Sequence, residues 1–563
     1  MTISIHDKWT IGAITLIISI YFLFVLFFSI EYVRVYRKSN SLASTLVHQN
    51  PNNARVNLYL SIRNIYSYLV AHKFFLNVLL YITFILVSIP FVGINTANVI
   101  SPNDWNLIGI AARLGYLASG MFFISFFFSL KNNPFSLMLF SSHEKMNYLH
   151  RQLSVIALLI GMIHGFCFLL WSAKNYKPLL TDKITLYGYA IGSLIIIIFI
   201  SNLPYYRKHY YEFFFATHHL CSAGFLFLIW RHHPESIKYM RLCMVMYLFD
   251  RCCRLFRSIK NRCQFDFFIL DVNLIYMKAK KPKHSFFSLP WAAGNHIYIN
   301  IPFLSYWQVH PFTMLNIPTD DYIELIVVVR SGFTKRLNDY LRYPESTTGY
   351  EGNQARQILP YNKVRNYSAI TEEGIQSNID LSLPLTMNGC LKSLTALVDG
   401  PYGPISNPCT IYSNVLLLSG GVGVSYTMPI MRDLIINKSK AISIKFVWSC
   451  RSAKLLELFY KILEFSLNQS HAKLEIICHL TSISISHRDL PIISSKQVGN
   501  CKLQIVKGRP DFNWYIKNFA DEVKEQTFCM TACGSNALLK TVKNAVTENI
   551  RSTSDLYQHY EEL

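Results

Sequence analysis

Two pairs of histidines share one spacing. His150 and His164 stand 14 residues apart in one apolar segment, and His218 and His232 stand 14 residues apart in another. On an α-helix that offset is almost four whole turns, so both members of a pair face the same way, roughly 21 Å apart along the axis. Imidazole is a common axial ligand of haem iron. Two such helices side by side would clamp two haems, one above the other, and pass electrons along their length. A histidine-rich zinc site is the alternative, but no carboxylate or thiol cluster accompanies these residues to complete it. Ionisable groups inside apolar segments are costly and usually functional. One choice stays open, because His219 and His233 repeat the offset one residue later.

A second set of residues suits nucleotide chemistry. His310-Pro311-Phe312-Thr313 follows a β-type run, and Arg330-Ser331-Gly332-Phe333-Thr334 comes soon after it. Arg330, the glycine and Thr334 offer charge, close backbone approach and a hydrogen bond to a pyrophosphate. Gly400-Pro401-Tyr402-Gly403 lies ahead of Ser419-Gly420-Gly421-Val422-Gly423. The later run sits between an apolar strand and a helix. There Gly420, Gly421 and Gly423 would let backbone N–H groups reach a phosphate at a helix N-terminus. Arg451 follows the next strand and could meet a phosphate of the same nucleotide; alone it would read as a surface arginine. Cys533-Gly534 follows a further apolar strand, which suits a nicotinamide edge, although such a cysteine is more often a buried free thiol.

The elements that must hold these residues are of two kinds. The chain has 563 residues and 51% apolar content, too long for one ordinary domain. Apolar runs crowd its first half: Thr10–Ile30, Phe74–Val92, Ile108–Leu130, Leu153–Trp171, Ile184–Leu203, Phe213–Trp230 and Tyr239–Leu255. Each is about 17–23 residues, enough to cross a hydrocarbon core of ~30 Å. This predicts a polytopic α-helical membrane bundle of seven spans. The count falls to six if the last run, which ends in Asp250, Arg251 and Arg254, does not cross. The first run is expected to stay as an anchor, since its length and flanks do not suit a cleaved leader.

The net charge of +21 would suggest nucleic acid in a soluble protein. Here the cations gather in alternate loops. Arg34, Arg37, Lys38, Arg55, Arg63 and Lys73 follow the first run; Lys131, Lys145 and Arg151, then Arg207 and Lys208, then Arg254, Arg257, Lys260 and Arg262 share its side. The positive-inside rule puts that side, with the C-terminal half, in the cytosol. Membrane orientation accounts for the charge, and nucleic acid is not expected as a partner. The 13 cysteines are scattered, none in a far-side loop, so no disulfide framework is expected.

Beyond Ser258 the texture changes. Short β-type runs at Phe265–Val272, His296–Ile301 and Ile323–Val329 suit a small antiparallel β-barrel. Tyr343–Asn378 reads as a polar insertion. From Val415 strands at Val415–Leu418, Ile442–Trp448, Leu474–Leu480 and Thr527–Ala532, with a helix at Leu455–Leu467, suit an α/β nucleotide-type domain. The expected partition is 1–107 for two leading spans, 108–256 for the histidine-bearing bundle, 257–410 for the barrel and 411–563 for the α/β domain.

Taken in order, these residues resemble the ferric reductase and NADPH oxidase superfamily, from about Ile108 to Leu563. His150, His164, His218, His232, Phe249-Asp250-Arg251, His310–Thr313, Gly400–Gly403, Gly420–Gly423 and Cys533-Gly534 carry the resemblance. The chain looks most like the short fungal branch described as probable metalloreductases, one of whose yeast members is described as an NADPH oxidase of the endoplasmic reticulum. The resemblance implies a ferredoxin-reductase-type module, with an FAD-binding barrel and an NADPH-binding α/β domain. It implies that His310, Pro311, Phe312 and Thr313 hold the flavin, with Arg330 and Thr334 near its phosphates and Gly400, Pro401, Tyr402 and Gly403 in the cofactor site. Gly420, Gly421 and Gly423 would hold the NADPH pyrophosphate and Arg451 its adenosine end. Cys533 would be the catalytic residue beside the nicotinamide, next to Gly534.

The four histidines would ligate two b-type haems. The acceptor across the membrane would be an Fe(III) or Cu(II) chelate, or O₂ giving superoxide, and the membrane that of the endoplasmic reticulum or the cell surface. Ser535 stands where the family usually carries proline, and Glu561-Glu562-Leu563 where many relatives carry an aromatic that covers the flavin. Arg113, within a span, is either a snorkelling interfacial charge or a haem-propionate partner. A transporter with a regulatory nucleotide domain would account for the spans but not for the histidine offsets or the flavin-type motifs. A catalytically dead relative acting as a scaffold is the other alternative.

Overall fold

The computed structural model describes residues 107–133, 143–175, 182–233, 237–282, 291–342, 392–403, 408–437, 439–481, 495–523, 527–549 and 555–562. The runs Thr10–Ile30 and Phe74–Val92 and the insertion Tyr343–Asn378 lie outside the described residues. The chain divides into two units, with a boundary between Cys253 and Arg254.

The first unit is helical. It comprises α1 (Leu107–Ser129), α2 (His143–Lys174), α3 (Lys183–Ser201), α4 (Pro204–His209), α5 (Tyr211–His232) and most of α6 (Ile237–Lys260). Helix α1 lies along α2, and α3 along α5. Leu117, Met121 and Ile124 of α1 pack with Leu153, Ile156 and Ile160 of α2. Ile195 of α3 packs with Phe225 and Ile229 of α5. The outer faces are no less apolar: Leu159, Ile163 and Phe166 on α2, Ile196 and Ile200 on α3, and Phe213, Leu220 and Phe227 on α5 are all exposed. A helix apolar all round has hydrocarbon for its solvent. Helices α1, α2, α3 and α5 are each long and apolar enough to cross a membrane. The run Tyr239–Leu255 does form a helix, α6, but Lys238, Arg241, Asp250, Arg251 and Arg254 keep it outside that group. The seventh expected span is therefore a charged helix. Asn132 ties it to the end of α1, donating from its backbone N and its Nδ2 to Asp250 Oδ1 at 2.8 and 2.9 Å.

The second unit opens with the last turns of α6. Strands β1 (Cys263–Asp271), β2 (Leu274–Lys280), β3 (His296–Asn300), β4 (His310–Thr313), β5 (Tyr322–Val328) and β6 (Lys392–Tyr402) make a sheet in the order β4-β3-β6-β1-β2-β5. All of its pairings are antiparallel. A bridge from Met314 to Leu325 links the end of β4 to β5, so the sheet closes on itself. Alternation with a period of two sends Phe265 and Phe267, Ile275 and Met277, Ile297 and Ile299, and Ile323 and Leu325 into one buried core. Helix α7 (Phe333–Arg342) plugs this core with Phe333, Leu337 and Leu341.

The α/β part follows as β7 (Asn414–Gly420), α8 (Val424–Ile436), β8 (Ser443–Cys450), α9 (Ala453–Gln469), β9 (Lys473–Leu480), β10 (Ser495–Val498), β11 (Cys501–Lys507), α10 (Phe512–Glu522), β12 (Thr527–Gly534), α11 (Asn536–Asn549) and β13 (Asp555–Glu562). The sheet order is β10-β11-β9-β8-β7-β12-β13, parallel except for β10. Val415 and Leu417 face a core shared with α8 and α9, while Leu416 and Leu418 face one shared with α10 and α11. That double burial is why β7 reads as an unbroken apolar run. From β7 the chain moves to β8 and β9 on one side, then returns to β12 on the other. The crevice outside the carboxyl ends of β7 and β12 is thus the topological switch point, where ligands bind in this architecture.

Candidate functional site

In the first unit α2 supplies His150 and His164, and α5 supplies His218 and His232. The rings of His150 and His218 have centroids 6.4 Å apart and planes at 88°. Those of His164 and His232 are 6.1 Å apart at 78°. Two imidazoles bound to one metal ion between them, each at about 2.0–2.1 Å, would have ring centres roughly 6 Å apart. Each pair therefore has the separation that two ligands of one metal ion would have. His219 and His233 turn elsewhere: His219 Nδ1 meets Phe215 O at 2.9 Å, and the His233 ring packs edge-on against Tyr116. Among the described residues no three His, Cys, Asp or Glu side chains gather as a metal site.

The ring orientations are fixed from outside. His164 Nδ1 lies 2.6 Å from Ala111 O, His232 Nδ1 2.8 Å from Ile184 O, and His150 Nδ1 2.8 Å from Ser125 O. A carbonyl can only accept, so each ring carries its proton on Nδ1 and leaves the Nε2 lone pair for a metal. His218 Nδ1 instead lies 3.2 Å from the side-chain amide of Asn202, whose Nδ2 donates to Ile198 O at 2.8 Å. The histidine spacing marks neither Ser125 nor Asn202. Nor does it mark Gly115 and Gly188, where a Cβ would stand 2.9 Å from the His164 ring and 3.0 Å from the His232 ring. An interior glycine in an apolar helix is the signal that could have singled out those two. Arg113 of α1 is only 7% exposed.

In the second unit His310-Pro311-Phe312-Thr313 is strand β4 itself, paired with β3 from Ile299↔His310 to His296↔Thr313. The His310 ring stacks on Phe333, centroids 4.3 Å apart, at the start of α7. In the first turn of that helix, Thr334 Oγ1 accepts from Arg330 N at 2.8 Å. Gly332 lies between them at φ +78°, a conformation that glycine takes without penalty. The exposed Arg330 is thus held at a helix N-terminus beside β4, an arrangement that receives phosphate.

At the end of β6, Asp399 accepts from Arg254 Nε at 2.8 Å and from Arg257 Nε at 2.7 Å. The Tyr402 hydroxyl donates to Asp399 Oδ1 at 2.9 Å and also meets Arg257. Burial, and then the Asp399 charge, push the Tyr402 phenol well above its ordinary range. The side chain of Tyr402 is therefore taken up by the protein. Gly400, Pro401 and Gly403 have only backbone and a proline ring to offer a ligand.

At the switch point the three glycines divide by task. A Cβ on Gly423 would run into the carbonyl of Cys533, and one on Gly420 into Leu538. Both are packing positions that let the turn lie against β12 and α11. Gly421, at φ +57°, has open space where its Cβ would be, and its carbonyl accepts from Trp448 Nε1 at 2.9 Å. Cys533 and Gly534 are the last two residues of β12. Cys533 is fully buried, its side chain in the same core as Trp448. Gly420 pairs with Ser449, so the exposed Arg451, just ahead of the α9 cap Ser452, rises at the same sheet edge.

Three segments match known families in this same order. Residues 114–229 match the ferric reductase like transmembrane component, 259–406 an FAD-binding domain, and 412–547 the ferric reductase NAD binding domain. A protein of Schizosaccharomyces pombe named "Ferric/cupric reductase transmembrane component 2" is 47% identical over 575 residues, covering 100% of both chains. The chain belongs to the ferric reductase family. A second S. pombe member, "Ferric reductase transmembrane component 1", is 42% identical over 585 residues, again with 100% of both chains covered. A Saccharomyces cerevisiae member named "Ferric/cupric reductase transmembrane component 2" is 25% identical over 364 residues, 62% of this chain and 44% of that protein. As a member of the family the chain is an integral membrane oxidoreductase. It carries FAD- and NAD(P)-binding domains and is built for electron transfer from NADPH across the membrane.

Proposed function

We propose that this chain is an NADPH-dependent ferric/cupric-chelate reductase whose electrons cross lipid through two b-type haems. His150 and His218 hold one, and His164 and His232 hold the other. The observation that carries this reading is the matched pair of ring separations, 6.4 and 6.1 Å. Bound flavin would turn a two-electron hydride into single electrons, and bound haem would relay them, chemistry that belongs to the cofactors.

The chain's own residues supply position. Ala111, Ile184 and Ser125 fix three of the imidazoles by accepting from Nδ1. In the bilayer that bond also satisfies a polar group that lipid cannot. The buried guanidinium of Arg113 suits a haem propionate. Strand β4 and the Arg330–Thr334 turn hold FAD, with the guanidinium and the α7 N-terminus toward its phosphates, and Gly400, Pro401 and Gly403 line the same site. Gly421 admits the NADPH pyrophosphate, Arg451 meets the adenosine end, and the Cys533-Gly534 backbone sits by the nicotinamide. The functional domains are 108–256, 257–410 and 411–563. The positive-inside rule, applied to the cationic loops, supports nucleotide domains in the cytosol and reduction of the metal chelate, as substrate, on the far side.

Proteoliposomes with NADPH outside and an Fe(III) chelate inside test this. Iron reduction that survives superoxide dismutase is expected. Reduction abolished by dismutase would mean that O₂ is the acceptor, and purified protein without haem absorbance would remove the conduit.

A further inference from the structure

The two histidines of the His164/His232 pair sit on the same device, built twice. His164 Nδ1 is bonded to the carbonyl of Ala111, and four residues further along α1 stands Gly115. His232 Nδ1 is bonded to the carbonyl of Ile184, and four residues further along α3 stands Gly188. On a helix, positions i and i+4 lie one above the other on a single face. Each imidazole therefore lies along one helical turn, tied at one end by a carbonyl and passing over a residue with no side chain.

The fit is tight. A Cβ at Gly115 would stand 2.9 Å from both Cε1 and Nδ1 of His164, and one at Gly188 would stand 3.0 Å from Cε1 of His232. Neither ring could give way without stretching the bond that holds its proton on Nδ1. The other pair lacks this seat. His150 is met by the carbonyl and hydroxyl of Ser125, and His218 by the amide of Asn202. Gly161 and Gly224 would meet aliphatic and aromatic side chains and not a histidine ring. Gly165 and Gly192 have nothing within 4 Å of where a Cβ would be.

We infer that Gly115 and Gly188 are positioning residues for the electron-carrying site at His164 and His232. Each sets the rotation and depth of one ligand ring by leaving room for it against the backbone carbonyl one turn earlier. The inference rests on the haem assignment made above. Ligand-ring rotation and the hydrogen bond at Nδ1 both tune a bound haem iron, so the glycines act on the character of one haem and not on the flavin half.

The test uses the full chain in detergent or nanodiscs, with Gly115→Ala, Gly188→Ala and, as a control in the same helix as Gly188, Gly192→Ala. The readouts are the haem-to-flavin ratio, the low-spin ferric haem signals in electron paramagnetic resonance and a potentiometric titration. Gly115→Ala is expected to shift the signal and midpoint of one haem, the one missing from His164→Ala. Gly188→Ala should shift the same haem by less, in keeping with its looser contact. The second haem, the rate of flavin reduction by NADPH and all signals of Gly192→Ala should stay as in the parent. If Gly115→Ala is too severe to keep that haem, a ratio lowered by one haem with the second signal intact supports the seat, and Gly188→Ala reports the graded effect. Parent-like signals in both variants, or equal disturbance of both haems, would overturn the seat alone. A parent chain without haem would overturn the haem assignment and the seat with it.

Discussion

Arg257 Nε donates to Asp399 Oδ1 across 2.7 Å, in a site that leaves each side chain 3% exposed. Arg254 donates to the other carboxylate oxygen, and Tyr402 shares the first. The last turn of α6 is thereby fastened to the strand that runs into Gly400, Pro401 and Gly403. Removing one member of a buried ion pair leaves an uncompensated charge, at a cost of about 3–5 kcal/mol. Asp399→Ala should therefore destabilise the flavin-binding half by that order, seen as earlier flavin release on heating. Asp399→Asn, which keeps the shape and half of the acceptor capacity, should lose less. Equal thermal release in wild type and Asp399→Ala would show that the cluster holds nothing in place.

The two histidine pairs should be separable by mutation. His164→Ala and His232→Ala should each remove one haem, and the same one, while His150→Ala and His218→Ala remove the other. In all four, reduction of the flavin by NADPH should persist, because the dehydrogenase half folds around its own cores. Pyridine haemochrome assay against flavin content checks the count. Full haem content in His164→Ala would refute the assignment of that ligand.

Much of the site was legible because its signals are local. The 14-residue histidine offset, the β4 tetrapeptide and the Gly420–Gly423 run each lie within one element or one turn. What was hidden depends on partners far along the chain. That Gly423 is a packing glycine follows from the Cys533 carbonyl, and that Gly420 is one follows from Leu538. Gly421 could not be told from its neighbours in the sequence. The side chain of Tyr402 was expected in a cofactor site because its commitment to Asp399 and Arg257 is invisible without the barrel. Strands β2 and β6 escaped notice as well. Lys278 and Lys280 interrupt the first, and Lys392, Ser393 and Thr395 open the second, so neither reads as an apolar run. Helix α7 was masked because Arg330–Thr334 reads as a phosphate turn, although Phe333, Leu337 and Leu341 repeat every four residues into the core.

The division of labour among the switch-point glycines can be measured. Gly423→Ala should damage folding of the α/β domain, because the new methyl meets backbone and not a mobile side chain. Gly421→Ala meets open space and carries only the strain of a positive φ, about 1–2 kcal/mol. It should leave a folded protein with a raised KM for NADPH and little change in kcat, since the methyl stands where the pyrophosphate must approach. A Gly421→Ala protein with unaltered KM would mean that the nucleotide lies elsewhere.

The buried thiols of the α/β sheet should be inert. Burial pushes Cys450 up to about 12, and its thiol donates to the Ser452 carbonyl at 3.0 Å. The thiolate is the reacting species, and at pH 8 the raised value keeps Cys450 in its thiol form. The sign for stability follows from a folded value raised above the unfolded one. The protonated thiol suits the fold, so its contribution is complete below about 8.5, the ordinary thiol value, and is lost as pH climbs toward 12. Iodoacetamide at pH 8 should leave Cys450 unlabelled in the native protein and label it after denaturation, with peptide mass spectrometry as the readout. Rapid native labelling at Cys450 would show that the carboxyl end of β8 opens to solvent, which its burial beside Trp448 does not allow.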